Sequence, residues 1–491
     1  MLALLHAAIG LGLGWSRPLW ALAVLVGAVS VTSSLWWQIG LSNAAAPFAY
    51  ASAFVLARGV RRLLARVSRS DGDYATAALV PGGIPLAVTL TVAFTLLATL
   101  LAVFRQHAGS IEMLALEMTS KAVFVSAFNP SGPPGELQAA LIAAGGPLLL
   151  LATIGVLRGE AERMTMHRAF VCGALISVAA PALQFLFLDP WVRPDKGEEI
   201  STGLVGFFQD PHSFAAYLLL MIGLAAGIGW GDARTKASRS AIAHALLALV
   251  ATVVLIGTNS RAGIIALLAG GACWMTIRRL ESRSLQGDRR FGRGLLVPAG
   301  VLLVVLALGV AIASLPQLRR ATYEGLRQIG ALRIAQPLEQ EADWDQLLGD
   351  RRTRWARTFG VIEQRPLWGA GPRSIQALPM GTVQSPITGE VRTIVPENTH
   401  NYFLQFAAEY GIPAASALLW LIVASLAIAV RGALNHPVPR LRAVLTGIVA
   451  GQVGFVLFSV VSHPMLLAEC QAVYWTLSGL AISTAGAPSD R

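Results

Sequence analysis

Three short polar segments each come directly before an apolar stretch, and they hold the residues best suited to chemistry. They are Asp210-Pro211-His212-Ser213, Asn259-Ser260-Arg261 and Asn398-Thr399-His400-Asn401. Their residue types favour helix starts, where unpaired backbone N–H groups and the positive end of the helix dipole face outward. Such ends suit an anion such as a diphosphate. If the three starts converge, they predict an anion-binding pocket.

Arg261 and His400 are the candidate catalytic residues of this pocket. Arg261 supplies a permanent positive charge. Positive surroundings lower the pKa of a histidine, which favours a neutral imidazole that can take a proton from an attacking hydroxyl. We therefore predict that His400 is a general base. The other residues of these segments that we predict to contact substrate are His212, Asn259, Ser260 and Asn401.

Arg261, His400 and His212 could each have a purely structural role instead. A lone arginine at a membrane boundary usually extends to lipid headgroups, which applies to Arg261. A lone histidine such as His400 is often a hydrogen-bonded structural residue, and His212 could belong only to a helix start. The combination of the three segments favours the functional interpretation.

The composition places these segments in a membrane protein. Of the 491 residues, 55% are hydrophobic and 13% are charged, and the mean hydropathy is +0.60. An ordinary soluble domain does not have this composition, and the apolar runs have the length that spans a bilayer. We predict an all-α polytopic fold.

The apolar runs give about 12 transmembrane spans of roughly 20 residues each. The spans are 19–37, 44–57, 84–104, 137–157, 170–188, 214–230, 241–257, 262–277, 295–314, 413–430, 443–461 and 465–484. Residues 1–14 are a further short apolar run, which we interpret as an incomplete span rather than a signal peptide because it has no basic region before it.

Basic residues alternate between the loops and predict the orientation. Arginine and lysine cluster in 58–69, 158–168, 234–239, 278–293 and 431–442, which we place in the cytoplasm. The three polar segments then face the extracytoplasmic side. The domains are predicted as N-terminal spans over 1–315, an outer loop with short helices over 316–411, and C-terminal spans with a short tail over 412–491.

Four strings in this order resemble the O-antigen ligase and O-antigen polymerase superfamily of bacterial envelope glycosyltransferases. They are Gly206-Phe207-Phe208-Gln209-Asp210-Pro211-His212-Ser213-Phe214, Asn259-Ser260-Arg261-Ala262-Gly263, Arg365-Pro366-Leu367-Trp368-Gly369-Ala370-Gly371, and His400-Asn401-Tyr402-Phe403-Leu404-Gln405 with Glu409-Tyr410-Gly411. The resemblance implies an inverting, metal-independent and cofactor-free transfer of a glycan from a polyprenyl-diphosphate donor. It also implies a bacterial inner membrane protein whose active site, with the large loop, faces the periplasm. The acceptor is either lipid A-core or another lipid-linked glycan. The resemblance also implies that Arg261 contacts the diphosphate and that His400 acts on the acceptor hydroxyl.

The chain departs from the ligase pattern at two places. Ligases often have an arginine shortly before the position of Gly206, and here Arg193 or Lys196 is the candidate replacement. The pattern that begins at His400 ends in Ala414 instead of glycine, threonine or tyrosine, which favours a polymerase over a ligase. Arg352 and Arg354 are further candidate phosphate or glycan contacts.

Two other functions stay open at this point. A protein O-oligosaccharyltransferase of the same superfamily would use the same donor. A transporter for an envelope lipid or glycan would show inverted repeats and charges near the bilayer midplane, and the sequence shows no internal repeat. The partners expected are the lipid-linked donor, the acceptor and membrane lipids, with no nucleic acid.

Overall fold

The part of the chain that the structure describes is a bundle of helices with one short β-hairpin. The computed structural model describes residues 2–32, 46–67, 83–106, 136–187, 204–208, 211–258, 260–285, 341–375, 381–384, 391–394 and 398–486. The helices in these ranges are α1 Leu2–Ser16, α2 Pro18–Val24, α3 Ala46–Val67, α4 Gly83–Gln106, α5 Glu136–Val156, α6 Glu160–Phe187, α7 Pro211–Arg234, α8 Ser238–Gly257, α9 Arg261–Leu285, α10 Glu341–Gln364, α11 Tyr402–Tyr410, α12 Ile412–Asn435, α13 Pro439–Val461 and α14 Ala468–Ala485. A π-helical turn, Leu25–Val29, continues α2, and a 3-10 turn, Pro464–Leu466, precedes α14.

Eight of the helices in the described residues are long and apolar enough to cross a membrane. They are α4, α5, α6, α7, α8, α9, α12 and α13. A helix suits the bilayer because it satisfies its own backbone hydrogen bonds. Each of the eight overlaps a predicted span, so the prediction of an all-α, multi-pass membrane protein is confirmed.

The other four predicted spans have different outcomes. Span 295–314 lies outside the described residues. Span 19–37 is described as far as residue 32, as the short helix α2 and its π-helical turn. Span 44–57 is the first part of α3, which continues into the basic cluster as far as Val67. Span 465–484 begins as a 3-10 turn, and its helix starts at Ala468.

The predicted outer loop contains more regular structure than short helices. Helix α10 has 24 residues. Strands β1 Gly381–Gln384 and β2 Val391–Ile394 pair in antiparallel fashion, with Thr382 opposite Thr393. The hairpin had not been predicted, because two four-residue strands are too short for a clear alternation of apolar and polar residues.

Helices α7 and α13 cross at the centre of the bundle through glycines. Gly223 and Gly227 on α7 face Gly447 and Gly451 on α13. A Cβ atom added at Gly447 would lie 2.7 Å from the Cα of Gly227, and one added at Gly223 would lie 2.7 Å from the backbone nitrogen of Gly451. Small residues at four-residue spacing allow the two backbones to approach this closely. Helix α7 is consequently buried along most of its length.

Two buried carboxylates hold these helices together at one end of the bundle. Asp232, at the end of α7, pairs with Arg440 at the start of α13, with 2.8 Å between oxygen and nitrogen. Glu281, near the end of α9, pairs with Arg234 at 2.8 Å and with Arg442 at 3.0 Å. Pairing with arginine offsets the cost of burying a carboxylate. Because α7 and α9 end here, both helices start at the opposite end, which we call the site end.

Candidate active site

The starts of α7 and α9 meet at the site end. The Nδ1 atom of His212, in the first turn of α7, lies 3.2 Å from the Oγ atom of Ser260. Ser260 also accepts a hydrogen bond from the backbone N–H of Gly263 at 3.2 Å, so it caps α9. Arg261 is the first residue of α9 and is partly buried. Two of the three predicted helix starts therefore come together beside the candidate arginine.

An aromatic cluster explains why α7 begins where it does. The backbone N–H of Leu204 donates to the carbonyl of Gly257 at 3.0 Å, which ties the preceding segment to the end of α8. Gly206 has a φ of +55°, and a Cβ atom there would lie 3.0 Å from the ring of Phe214. Phe208 then stacks on Phe214 with ring centroids 5.3 Å apart. Gly206 and Phe208 of the first resembling string thus pack against the first turn of α7.

His400 occupies a turn just before α11. Its φ is +51°, in the left-handed region that costs energy for residues other than glycine. The side chain of Asn398 accepts a hydrogen bond from the His400 N–H at 2.8 Å. Asn401 is the cap of α11, since its side chain accepts from the N–H of Leu404 at 3.0 Å. The turn therefore presents His400 immediately outside the helix instead of within its first turn.

Helix α10 holds this turn from the other side. Arg354 donates to the carbonyl of Asn398 at 3.2 Å, and the indole N–H of Trp355 donates to the carbonyl of Thr399 at 2.9 Å. These bonds give both side chains a role in positioning His400. The sequence had suggested Arg354 only as a phosphate or glycan contact, and that contact stays a prediction.

A chain of buried polar groups connects the His400 turn to the body of α11. Gln405 accepts a hydrogen bond from the N–H of Thr399 at 3.2 Å and donates one to Glu409 at 2.8 Å. Burial raises the pKa of the Glu409 carboxyl to about 7, although the hydrogen bond from Gln405 acts in the opposite direction. Gln405 satisfies groups on both sides of it, so the turn cannot shift without leaving a buried polar group unsatisfied.

The Arg365–Gly371 string closes the far end of α11. The N–H of Ala370 donates to the carbonyl of Ala408 at 2.9 Å, and the N–H of Gly371 donates to that of Glu409 at 3.0 Å. These carbonyls have no partner within the helix. Gly369 and Gly371 both have positive φ, and a Cβ atom at Gly369 would lie 2.7 Å from the nitrogen of Tyr410. The string therefore holds the short helix that follows His400.

Residues 462–467 join α13 to α14, and we call them the connector. The connector lies between the third helix start and the other two. The N–H of Tyr402 donates to the carbonyl of Ser462 at 3.2 Å. The ring of His463 contacts that of His400 edge to face, with centroids 5.4 Å apart. On the other side, the ring of Phe458, near the end of α13, lies 6.4 Å from that of His212. The 3-10 turn of the connector contacts both α7 and α11.

His463 was not identified from the sequence. It stands alone between two apolar runs, and its spacing from the other polar segments carries no signal. One feature could have indicated it, because span 443–461 runs outward under the predicted topology and must end on the same side as His400.

Two predicted site residues, Arg193 and Asn259, lie outside the described residues, and the side chain of Arg352 is not described.

No curated protein matches the chain. Residues 245–421 match the family described as O-Antigen ligase. The matched range runs from α8 to α12 and contains both Arg261 and His400. This match confirms the resemblance to the O-antigen ligase and O-antigen polymerase superfamily over residues 245–421, which contain three of the four strings.

Proposed function

We propose that the protein transfers a glycan from a polyprenyl-diphosphate donor to lipid A-core or to another lipid-linked glycan, at the periplasmic face of the inner membrane. The match to O-Antigen ligase supports a glycan-transferring membrane enzyme. The observation that carries the proposal is the meeting of His212 with Ser260 beside Arg261. It brings two helix starts and a permanent positive charge to one place.

The donor half of the site consists of the starts of α7 and α9. Backbone N–H groups at a helix start, together with an arginine, can bind a diphosphate without a metal ion. The diphosphate is already a good leaving group, so the protein has only to stabilise the charge that develops on it. Arg261 and Ser260 have this role in the proposal, with His212 fixing the position of Ser260.

The acceptor half of the site is the His400 turn. The neutral imidazole of His400 takes the proton from the acceptor hydroxyl as the new bond between oxygen and sugar carbon forms. The bond from that carbon to the phosphate oxygen breaks at the same time, and its electron pair leaves with the diphosphate. Because the hydroxyl attacks from the side opposite the leaving group, the configuration at the sugar carbon is inverted.

The role of Arg261 is testable by substitution. Arg261→Ala is expected to lower kcat/KM for a polyprenyl-diphosphate donor by about 100-fold or more, since it removes a charged donor from the developing negative charge. Arg261→Lys should keep part of the activity, because lysine retains the charge but cannot make a bidentate contact with the diphosphate. Transfer is measured with purified, reconstituted protein.

The matched control is Arg279→Ala, because Arg279 lies on the same helix near its opposite end and is exposed. It should leave kcat/KM within about twofold of the parent, as surface substitutions usually do. Equal activity of Arg261→Ala and the parent would remove Arg261 from the donor half.

A further inference from the structure

The connector is a part of the site end that the family match does not include. The match ends at residue 421, whereas the connector begins at Ser462 and joins the last two helices. Its 3-10 turn contacts α7, α11, α13 and α14. It therefore lies between the donor half, at the start of α7, and the acceptor half, before α11.

His463 is the ionisable residue of the connector, and it contacts the candidate base directly. Its ring meets that of His400 edge to face at 5.4 Å between centroids. The hydrogen bond from Tyr402 to Ser462, one residue before His463, ties the two segments together at this point. A backbone hydrogen bond thus holds the two segments together next to the two rings.

We propose that His463 is a positioning residue for His400 and that the two rings share a single proton. The inference rests on the proposed role of His400 as the base. Two imidazolium rings in contact repel each other, so the first proton that the pair binds disfavours the second. When that proton is on His463, His400 stays neutral and able to act as a base. The pair consequently keeps a neutral His400 at lower pH than a lone histidine would.

Titratable and charged groups also lie on other elements of the site end. Arg354 lies on α10, and Glu409 is buried on α11. Glu469 is buried in the first turn of α14. His212 and Arg261 stand at the starts of α7 and α9. All of them stay in place when only residue 463 is changed, so a change in pH dependence reports on the ring of His463.

The test compares His463→Phe with His463→Ala across pH 5 to 9. Phenylalanine keeps a ring against His400 but binds no proton, whereas alanine removes both. On the acid side, kcat/KM falls as the pH is lowered. For His463→Phe we expect this fall to occur at a pH higher by about half a unit or more than in the parent. Activity at high pH should stay within about threefold of the parent. Unchanged pH dependence of His463→Phe, with a loss only in His463→Ala, would mean that the ring serves packing alone and would overturn the proposal.

A second readout does not depend on glycan transfer. Diethyl pyrocarbonate acylates neutral imidazole, and the extent of His400 modification can be followed by mass spectrometry at each pH. His400 of the parent should become modified at a lower pH than His400 of His463→Phe, and the difference should equal the shift in kcat/KM. Coincident curves of modification against pH would contradict the shared proton. If the parent transfers no glycan, the proposed function fails, and this measurement still decides the inference. Melting temperatures of both variants in detergent establish that they are folded.

Discussion

Replacing His400 with alanine is expected to lower the rate of glycan transfer by about 10²- to 10⁴-fold, the usual contribution of a general base. The fold should survive, because the turn is held by backbone and by side chains other than that of His400. Asn398 binds the His400 N–H, and Trp355 binds the neighbouring carbonyl of Thr399. Transfer is measured as the initial rate with purified, reconstituted protein.

His400→Asn serves as the matched variant, since asparagine tolerates the left-handed backbone at φ +51° but is no base near neutral pH. Both variants should lose activity to this extent and should melt near the parent temperature. Full activity of either one would exclude His400 as the base. Loss of activity accompanied by loss of the folded state in both would assign His400 a structural role instead.

The largest effect on stability is expected for Gly447→Leu. A side chain there enters the crossing of α7 and α13, where even a Cβ atom would lie 2.7 Å from the Cα of Gly227. Either the helices separate or their backbones shift, at a cost of about 3 kcal/mol or more. We expect little folded protein and a strongly lowered melting temperature in detergent.

The control for this substitution is Gly271→Leu on α9. It introduces the same side chain within a span, but a Cβ atom at Gly271 has no heavy atom within 4 Å. This variant should purify and melt like the parent. A Gly447→Leu protein that melts at the parent temperature would show that the two helices do not depend on their close approach.

The sequence was most informative where one local property decides the structure. Long apolar runs predict α8, α12 and α13 to within a few residues. A backbone in lipid must satisfy its own hydrogen bonds, and a helix does so. The capping residues before α9 were recognisable for the same reason, and Ser260 does cap that helix. Proline and an N-cap type residue likewise indicated the start of α7 at Pro211.

What could not be predicted depends on contacts between distant parts of the chain. The meeting of His212 with Ser260 follows from how α7 and α9 pack, which no local pattern encodes. The support of the His400 turn by Trp355 depends on where α10 lies. The sequence also left open whether the third segment reaches the other two. The answer depends on the connector, of which only residues 465–467 had been assigned to the start of a span.

The most direct test of the central claim is to reconstitute the purified protein with a polyprenyl-diphosphate oligosaccharide, with and without lipid A-core, beside His400→Ala. The account predicts that the parent moves glycan off the donor and that the variant does not. Product on lipid A-core, formed only when it is present, would establish a ligase, and a ladder of longer lipid-linked chains without it would establish a polymerase. Product formed equally by the parent and by His400→Ala would contradict the assignment of His400 as the base. If the parent left the donor intact both with and without lipid A-core, the proposed transfer would be contradicted.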